Sequence, residues 1–471
     1  VQGPLGMLWF TDVEQRLVQR HGRAPAPLFN HGILYSEGRD SLAAVDAYNG
    51  LKLWEYSLPG ILEAYDGDHL MGVSGSGSNF ALSEDSVYVR RDGHCLRLDA
   101  KTGKLLDKFS APLAADGRSG TWGFLACENG ILLGSLANPE HVVTFRYLKG
   151  GNLAGQLTES KTLFALDAIS GELKWRWDAT NSLRHNAISL GGGRVIFIDR
   201  PLTLYDRVHG AKAAGDQTGE LVALEAHSGK VLWRNSSNIY GTVTLLSTPH
   251  QKVLMSYQPT RFGLASELGG RMTCFELASG ERVWERDIKY QSRPILNDQT
   301  IYAEGGAWDL RTGVERPFAM KRSYGCGILA GARNLVVYRS ATLGYFDLGA
   351  DRGTEEFGGM RPGCWVNVLP VGGLVLVPDG TTACACSYPN QAWVALRPEG
   401  VRPPAIHPAG GAFPKPVTVN LQASRPALEA VHYTLDGASP TADSPRYREP
   451  LLLTRPALLQ ARSFEIGRAH L

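Results

Sequence analysis

Nine residues stand immediately before successive apolar runs and are the chain's best candidates for chemistry: Asn79, Trp122, His185, Asn186, Tyr240, Arg293, Tyr324, Arg361 and Trp365. Aromatic rings, guanidinium groups and amides are the side chains that line sites for planar or sugar-like ligands. If the apolar runs are strands around a common centre, these residues converge at its mouth. The competing reading is that they plug that mouth and satisfy one another. Other constellations are poorer. Asp66-Gly67-Asp68-His69 is acidic and Gly-flanked, yet it is too short for a calcium loop and reads as a solvated turn. Gly75-Ser76-Gly77-Ser78 lies between β segments and opens no helix, which makes it a weak phosphate cradle. His31, His69, His94, His185, His227 and His250 are scattered over separate segments, and none accompanies a nucleophile elbow. No metal site is expected.

The elements that would position these residues come from one repeated pattern. It is clearest at Leu166-Asp167-Ala168-Ile169-Ser170-Gly171-Glu172-Leu173-Lys174-Trp175, where an apolar run ends in an acid, a Gly follows four residues later and a Trp four after that. The same spacing recurs at Asp46…Gly50…Trp54, Glu225…Gly229…Trp233 and Glu276…Gly280…Trp284. Worn copies place Asp107 or Pro317 where the Trp belongs, and Asp347 reaches its Gly only at Gly353. The physics predicts a hairpin. Alternating apolar residues make a strand buried on both faces, the acid accepts from the turn amides, and Gly supplies a positive φ. Trp54, Trp175, Trp233 and Trp284 are then docking side chains for the neighbouring unit.

Eight such units can be laid along the chain, from Leu28 to Trp54 through to Val366-Asn367-Val368 and Trp393-Val394-Ala395-Leu396. Insertions at about 137–160 and 201–219 interrupt the third and fourth. The eighth lacks a last strand, and Leu8-Trp9-Phe10 can supply it; joining the two termini removes exposed sheet edges. The expected fold is all-β: an eight-bladed β-propeller over residues 1–400, with seven blades as runner-up. After Arg397-Pro398 the composition changes, and 401–471 reads as a small Ig-like β-sandwich, with an incomplete last strand and a longer parent protein as the two open readings of its end.

Composition agrees with this and narrows the partners. The 54 glycines and 26 prolines among 471 residues are the turn content of an all-β protein. A net charge of +2 with no basic stripe argues against nucleic acid. No apolar run approaches the ~18 residues of a membrane span. The N-terminus lacks the charged-then-apolar layout of a signal peptide, so it reads as a mature form or an excised fragment. Cys95, Cys127 and Cys274 lie in apolar strands as core thiols. Cys326, Cys364, Cys384 and Cys386 fall in the last two units, and Cys326 and Cys364 precede equivalent strands there. Pairing 326–364 with 384–386 is the first choice and a crossed pairing the second; free thiols and a four-thiolate site stay open. Disulfides would place the chain in the periplasm or outside the cell.

The Ala-x-Asp-x-x-(Thr/Ser)-Gly-x-x-x-Trp hairpin resembles the repeat of the pyrroloquinoline-quinone (PQQ) β-propeller superfamily. The string Tyr433-Thr434-Leu435-Asp436-Gly437…Pro440-Thr441…Tyr447 resembles the C-terminal β-sandwich of chitobiase and β-hexosaminidase enzymes, also called a fibronectin-III-associated domain. The first resemblance implies a fold shared by quinoprotein alcohol dehydrogenases, an outer-membrane assembly lipoprotein and propellers without cofactor. The dehydrogenases carry an adjacent Cys-Cys pair and a Glu/Asn/Asp calcium set. No two cysteines are adjacent here, and the calcium set is not found in matching context. The second resemblance implies export. The leading expectation is therefore a non-catalytic, exported, monomeric scaffold with a protein or carbohydrate partner and no cofactor. A PQQ- and Ca²⁺-dependent dehydrogenase of alcohols or sugars is the alternative, and an accessory module of a polysaccharide-processing protein is the third reading.

Overall fold

A computed structural model describes the chain except residues 2, 13–25, 39, 62–79, 92, 139–157, 202–217, 258–269, 326, 351–352, 363–367, 380–391, 399–402, 424–425, 427–428 and 466–471. It divides into two compact units, Val1–Gly3 with Met7–Arg397, and Pro4–Gly6 with Pro398–Leu471. Every described element is a strand, and strands that follow one another within a sheet pair antiparallel, as Ile33–Glu37 does with Ser41–Asp46.

The larger unit is a succession of four-stranded motifs in chain order. The first is Leu28–Asn30, Ile33–Glu37, Ser41–Asp46 and Lys52–Ser57; the second is Phe80–Leu82, Ser86–Arg91, His94–Asp99 and Leu105–Ser110. The third and fourth share one strand. Leu173–Gly191 runs 19 residues without a break, joining Trp122–Glu128, Ile131–Ala137 and Glu159–Asp167 to Arg194–Arg200, Gly219–Glu225 and Val231–Ile239 in a seven-stranded sheet. The repeat alone suggested two separate sheets here. The segment Asp178-Ala179-Thr180-Asn181-Ser182-Leu183 contains no Gly or Pro to break it, and a register shift between Leu183 and Ile188 absorbs the change of partner.

The fifth sheet is Val243–Ser247, Lys252–Ser256, Gly270–Glu276 and Arg282–Ile288, and the sixth Ile295–Asn297, Thr300–Ala303, Gly306–Asp309 and Glu315–Arg316. The seventh is Ala330–Ala332, Leu335–Ser340, Thr342–Asp347 and Thr354–Phe357. In the eighth, Leu369–Val371, Leu374–Asp379 and Ala392–Pro398 are completed by Leu5–Asp12 from the N-terminus. Its first strand begins one residue beyond the expected Val366-Asn367-Val368, of which 366 and 367 lie outside the described residues. The first strands of consecutive sheets touch, from the first sheet to the eighth.

The seams between sheets are fastened by the repeat. The indole N–H groups of Trp54, Trp175, Trp233 and Trp284 donate to the carbonyls of Ala100, Ala226, Leu277 and Leu310 in the next sheet, at 2.8–2.9 Å. Each ring lies flat against that sheet's turn glycine. A Cβ on Gly103 would stand 2.5 Å from Trp54, and one on Gly229 2.6 Å from Trp175. Two further docks are less legible in sequence. Phe109, two residues past Asp107 and so on the same strand face, covers Gly171. Trp9 in the N-terminal strand covers Gly50 and donates to the Ala47 carbonyl at 2.9 Å, which fixes the eighth sheet to the first.

The turn acids hold their own hairpins. Asp167 Oδ1 accepts from the Ile169 and Ser170 amides at 3.1 and 2.9 Å, and Gly171 has φ 72°. The Ser170 amide holds the Asp167 carboxyl below its ordinary value; the hydroxyls of Thr102 and Ser228 do the same for Asp99 and Glu225. Groups whose folded pKa is depressed stabilise the fold fully above the unfolded carboxylate range. That contribution disappears as pH falls through the lower folded values. We expect the urea midpoint to be level near neutrality and to drop below about pH 4. In a variant with Asp99 and Asp167 changed to Asn, the drop should be shallower. An equal drop in both proteins would refute this assignment.

The smaller unit pairs Ala405–His407, Val417–Gln422 and Leu451–Leu453 in one sheet and Glu429–Thr434 with Gln460–Glu465 in another. Val419, Leu421 and Val431 are its buried centre, with Ile406, Tyr433 and Tyr447 packed against them, as in a small sandwich.

Candidate functional site

Antiparallel order sorts the connections of the larger unit by end. The turns between first and second strands, and the Asp–Gly turns between third and fourth, share one end. The second strands end and the third begin at the other, so the links spanning 138–158, 201–218, 257–269 and 380–391 start and finish there, with the crossovers to each next sheet. Long connections at one end of a rigid scaffold are where binding residues concentrate. Trp122, His185, Asn186, Tyr240, Arg293, Tyr324 and Arg361, seven of the nine residues singled out from the sequence, belong to this loop end. Asn79 and Trp365 lie outside the described residues, as do Cys326, Cys364, Cys384, Cys386, Asp66–His69 and Gly75–Ser78.

The others are not equivalent. Trp122 is fully buried, edge-on to Phe164 at 4.9 Å, and its carbonyl accepts from Arg90 Nη1 at 3.1 Å. It belongs to the core. Tyr240 is buried as well. Its hydroxyl meets Thr273 Oγ1 at 2.6 Å, the Arg271 guanidinium lies 3.5 Å over its ring, and Tyr257 stacks on it at 5.4 Å. Burial pushes the Tyr240 phenol well above its usual range. Tyr324 is 55% exposed, with the Arg339 guanidinium 5.8 Å from its ring, and Arg361 is buried.

Asn186 and Arg293 come together, while the adjacent His185 is buried among other partners. Asn186 Oδ1 accepts from Arg293 Nη1 at 3.3 Å, although the two residues belong to the fourth sheet and to the crossover into the sixth. His185 Nε2 meets Ser160 Oγ at 2.8 Å, Ser160 Oγ meets Ser135 Oγ at 2.7 Å, and the Phe124 amide donates to Ser135 at 2.7 Å. Gly123 leaves room for this chain of hydroxyls. A Cβ there would stand 2.6 Å from Ser135 Oγ and 3.0 Å from His185 Nε2. Ser160 is fully buried and the relay ends on a backbone amide, so the Ser–His contact ties strands together. Beside it Glu159 accepts from Arg184 at 3.2 Å and from Ser182 at 2.6 Å, with both members of the ion pair buried. Removing one partner of such a pair leaves an uncompensated charge in a medium that cannot solvate it.

Sequence reading missed the arginines that close the second strands. Arg90 and Arg200 end apolar runs and donate to carbonyls at the head of the next sheet, Arg200 Nη1 to Tyr240 O at 2.5 Å. Arg322 reaches Glu304 at 2.8 Å and the Arg339 carbonyl at 2.7 Å. The available signal was a charge terminating an apolar alternation, as in Val-Tyr-Val-Arg90. The cysteines within the described strands are chemically quiet: burial raises Cys127 and Cys274 to about 12 and Cys95 further.

Buried polar atoms that make no hydrogen bond also favour this end. Among the described residues of the larger unit they include Ser36 Oγ, Ser41 Oγ, Trp122 Nε1, Ser256 Oγ, Thr342 Oγ1 and Trp393 Nε1, all at the loop end. Trp177 Nε1, midway along an outer strand, is the exception, and among the described residues the turn end has none.

The comparisons agree with this architecture. The family model for the glucose/ethanol/alcohol dehydrogenase β-propeller domain matches residues 10–191, and that for the outer membrane protein assembly factor BamB matches 142–258. The chitobiase/β-hexosaminidase C-terminal domain matches 408–470. A quinohemoprotein alcohol dehydrogenase, ADH IIB of Pseudomonas putida, is 35% identical over 104 residues, which is 22% of this chain and 14% of that protein. BamB of Burkholderia pseudomallei is 26% identical over 257 residues, 50% of this chain and 63% of that one. The chain thus spans less than two thirds of either relative. The crystal structure of a quinohemoprotein alcohol dehydrogenase from Comamonas testosteroni superposes with a TM-score of 0.52 at 14% identity, covering 87% of this chain and 79% of that one, which shows the fold alone. Similarity runs to both assembly factors and quinoproteins, and it favours the dehydrogenase alternative over the scaffold expectation. The chain carries a PQQ-like β-propeller domain followed by a C-terminal chitobiase/fibronectin-III-like domain.

Proposed function

We propose that the eight sheets close into an eight-bladed propeller that works outside the cytoplasm as a binding scaffold, with the loop end as its ligand surface. The observation that supports this is the division of labour between the ends. The turn end is spent on Asp–Gly turns and docked indoles, while the loop end collects the ends of long connections, the Asn186–Arg293 contact and the buried polar atoms without partners. Similarity to an outer membrane protein assembly factor supports the compartment, and no helix among the described residues is long and apolar enough to cross a membrane. Similarity to BamB supports a protein partner, and the C-terminal module adds a carbohydrate as the other candidate.

The second reading, a PQQ-dependent dehydrogenase of alcohols or sugars, is favoured by the match over 10–191 and the 35% identity to ADH IIB. The donor set fits it poorly. A calcium-held quinone needs several oxygen ligands at one point, and among the described residues no three His, Cys, Asp or Glu side chains gather to hold a metal ion. No two cysteines are adjacent to form the disulfide expected over the quinone. Calorimetric titration with PQQ in millimolar Ca²⁺, against an EDTA control, separates the two readings. We expect no Ca²⁺-dependent heat. Tight, Ca²⁺-dependent binding would replace the scaffold reading with the dehydrogenase.

A further inference from the structure

We propose that the seam between the eighth and first sheets holds, at its loop end, a small neutral hydroxyl ligand bound by Ser36, Ser41 and Trp393. Strand register places the three together. Leu34 pairs with Val45 and Ser36 with Ala43, so Leu34, Ser36, Ser41, Ala43 and Val45 share one face of the first sheet. In the eighth sheet Leu376 pairs with Ala395 and Pro378 with Trp393. Leu34 packs with Leu376 and Ala395, and one step nearer the loops Ala43 and Val45 pack with Trp393. Ser36 stands beside Ala43 in that second layer, and Ser41, on the same face, stands one step nearer the loops.

All three side chains are buried, at 1%, 1% and 3% exposure, and Ser36 Oγ, Ser41 Oγ and Trp393 Nε1 each make no hydrogen bond within the protein. A buried polar group left so is costly, and three on neighbouring positions of one otherwise apolar seam call for a common partner. The chemistry of that partner follows from theirs. An indole N–H only donates, whereas a serine hydroxyl donates or accepts. One oxygen that accepts from Trp393 and exchanges hydrogen bonds with two hydroxyls answers all three. A cation would face the Trp393 donor, and none of the residues named on these two facing surfaces carries a positive charge to balance an anion. A hydroxyl oxygen fits, either that of water or that of an alcohol or polyol.

The test uses the full chain with Ser36→Ala and Ser41→Ala, and a crystal structure grown without alcohols or polyols. A bridging ligand loses a partner in each variant, and the unfolding temperature should fall by roughly 1–3 °C. Density should lie within hydrogen-bond reach of all three groups. If the seam is dry, deleting an unsatisfied hydroxyl removes a cost, so a higher unfolding temperature in either variant overturns the proposal, as does a crystal structure with no density there. Glycerol titration distinguishes the sources. Stabilisation of the wild type beyond that of the double variant assigns a polyol, and equal stabilisation assigns water. The result is independent of PQQ binding.

Discussion

Replacing Trp233 by alanine should lower the unfolding free energy of the larger unit by about 3–5 kcal/mol, the range for truncating a large buried aromatic. The side chain is 9% exposed, its N–H donates to Leu277 O at 2.9 Å, and its ring covers Gly280. The loss combines apolar contact, a hydrogen bond worth ~1 kcal/mol net, and a cavity between two sheets that cannot collapse without moving both. Gly280→Ala attacks the same dock from the other side. Gly280 has φ 71°, where an L-residue is strained by roughly 1–2 kcal/mol, and its Cβ would enter the Trp233 ring. With Trp233 already truncated, the clash vanishes and only the strain remains. The two losses should therefore be strongly non-additive in denaturant unfolding of both single variants and the double. Additive losses would mean that ring and glycine do not act as one joint.

That joint is also where the sequence was most informative, and the reason is locality. Acid, turn glycine and tryptophan lie within nine residues, so the hairpin and its docking side chain are written in one window. Trp9 and Phe109 perform the same task outside that window. Trp9 docks only because an N-terminal strand becomes the last strand of a sheet formed some 380 residues later, about the distance to Ala392–Pro398. Phe109 docks because the strand face repeats every second residue, so a ring can slide two positions and still meet Gly171. The candidate site was legible in place but not in role. Standing before a first strand put His185, Asn186 and Arg293 at the loop end, and the same rule picked Trp122 and Tyr240, which the packing of adjacent sheets draws into the core. The Glu159–Arg184 pair and the Ser135–Ser160–His185 relay depend on register across the insertion after Ala137, which composition does not fix.

Deleting residues 1–12 should have a still larger effect than losing Trp233, because it removes a strand and a dock at once. The deletion exposes the edge of Ala392–Pro398 and uncovers Gly50 and the Ala47 carbonyl, both held by Trp9. An exposed edge invites intermolecular pairing, so the truncated protein should aggregate on warming as well as unfold at lower denaturant. Trp9→Ala separates the two contributions; its ring is only partly buried, so its cost should lie near or below the lower end of ~3–5 kcal/mol. Hydrogen exchange of the truncated protein tests closure itself. In an open stack of sheets the N-terminal strand would matter only to the eighth, and protection in Ser41–Asp46 would be unchanged. In a closed ring the same strand is also the neighbour of the first sheet through Trp9, so protection should fall in Ser41–Asp46 and Leu374–Asp379 together while Gly270–Glu276, on the far side, keeps it. Loss confined to the eighth sheet would rule out eightfold closure, because a ring opened at one seam has two free ends.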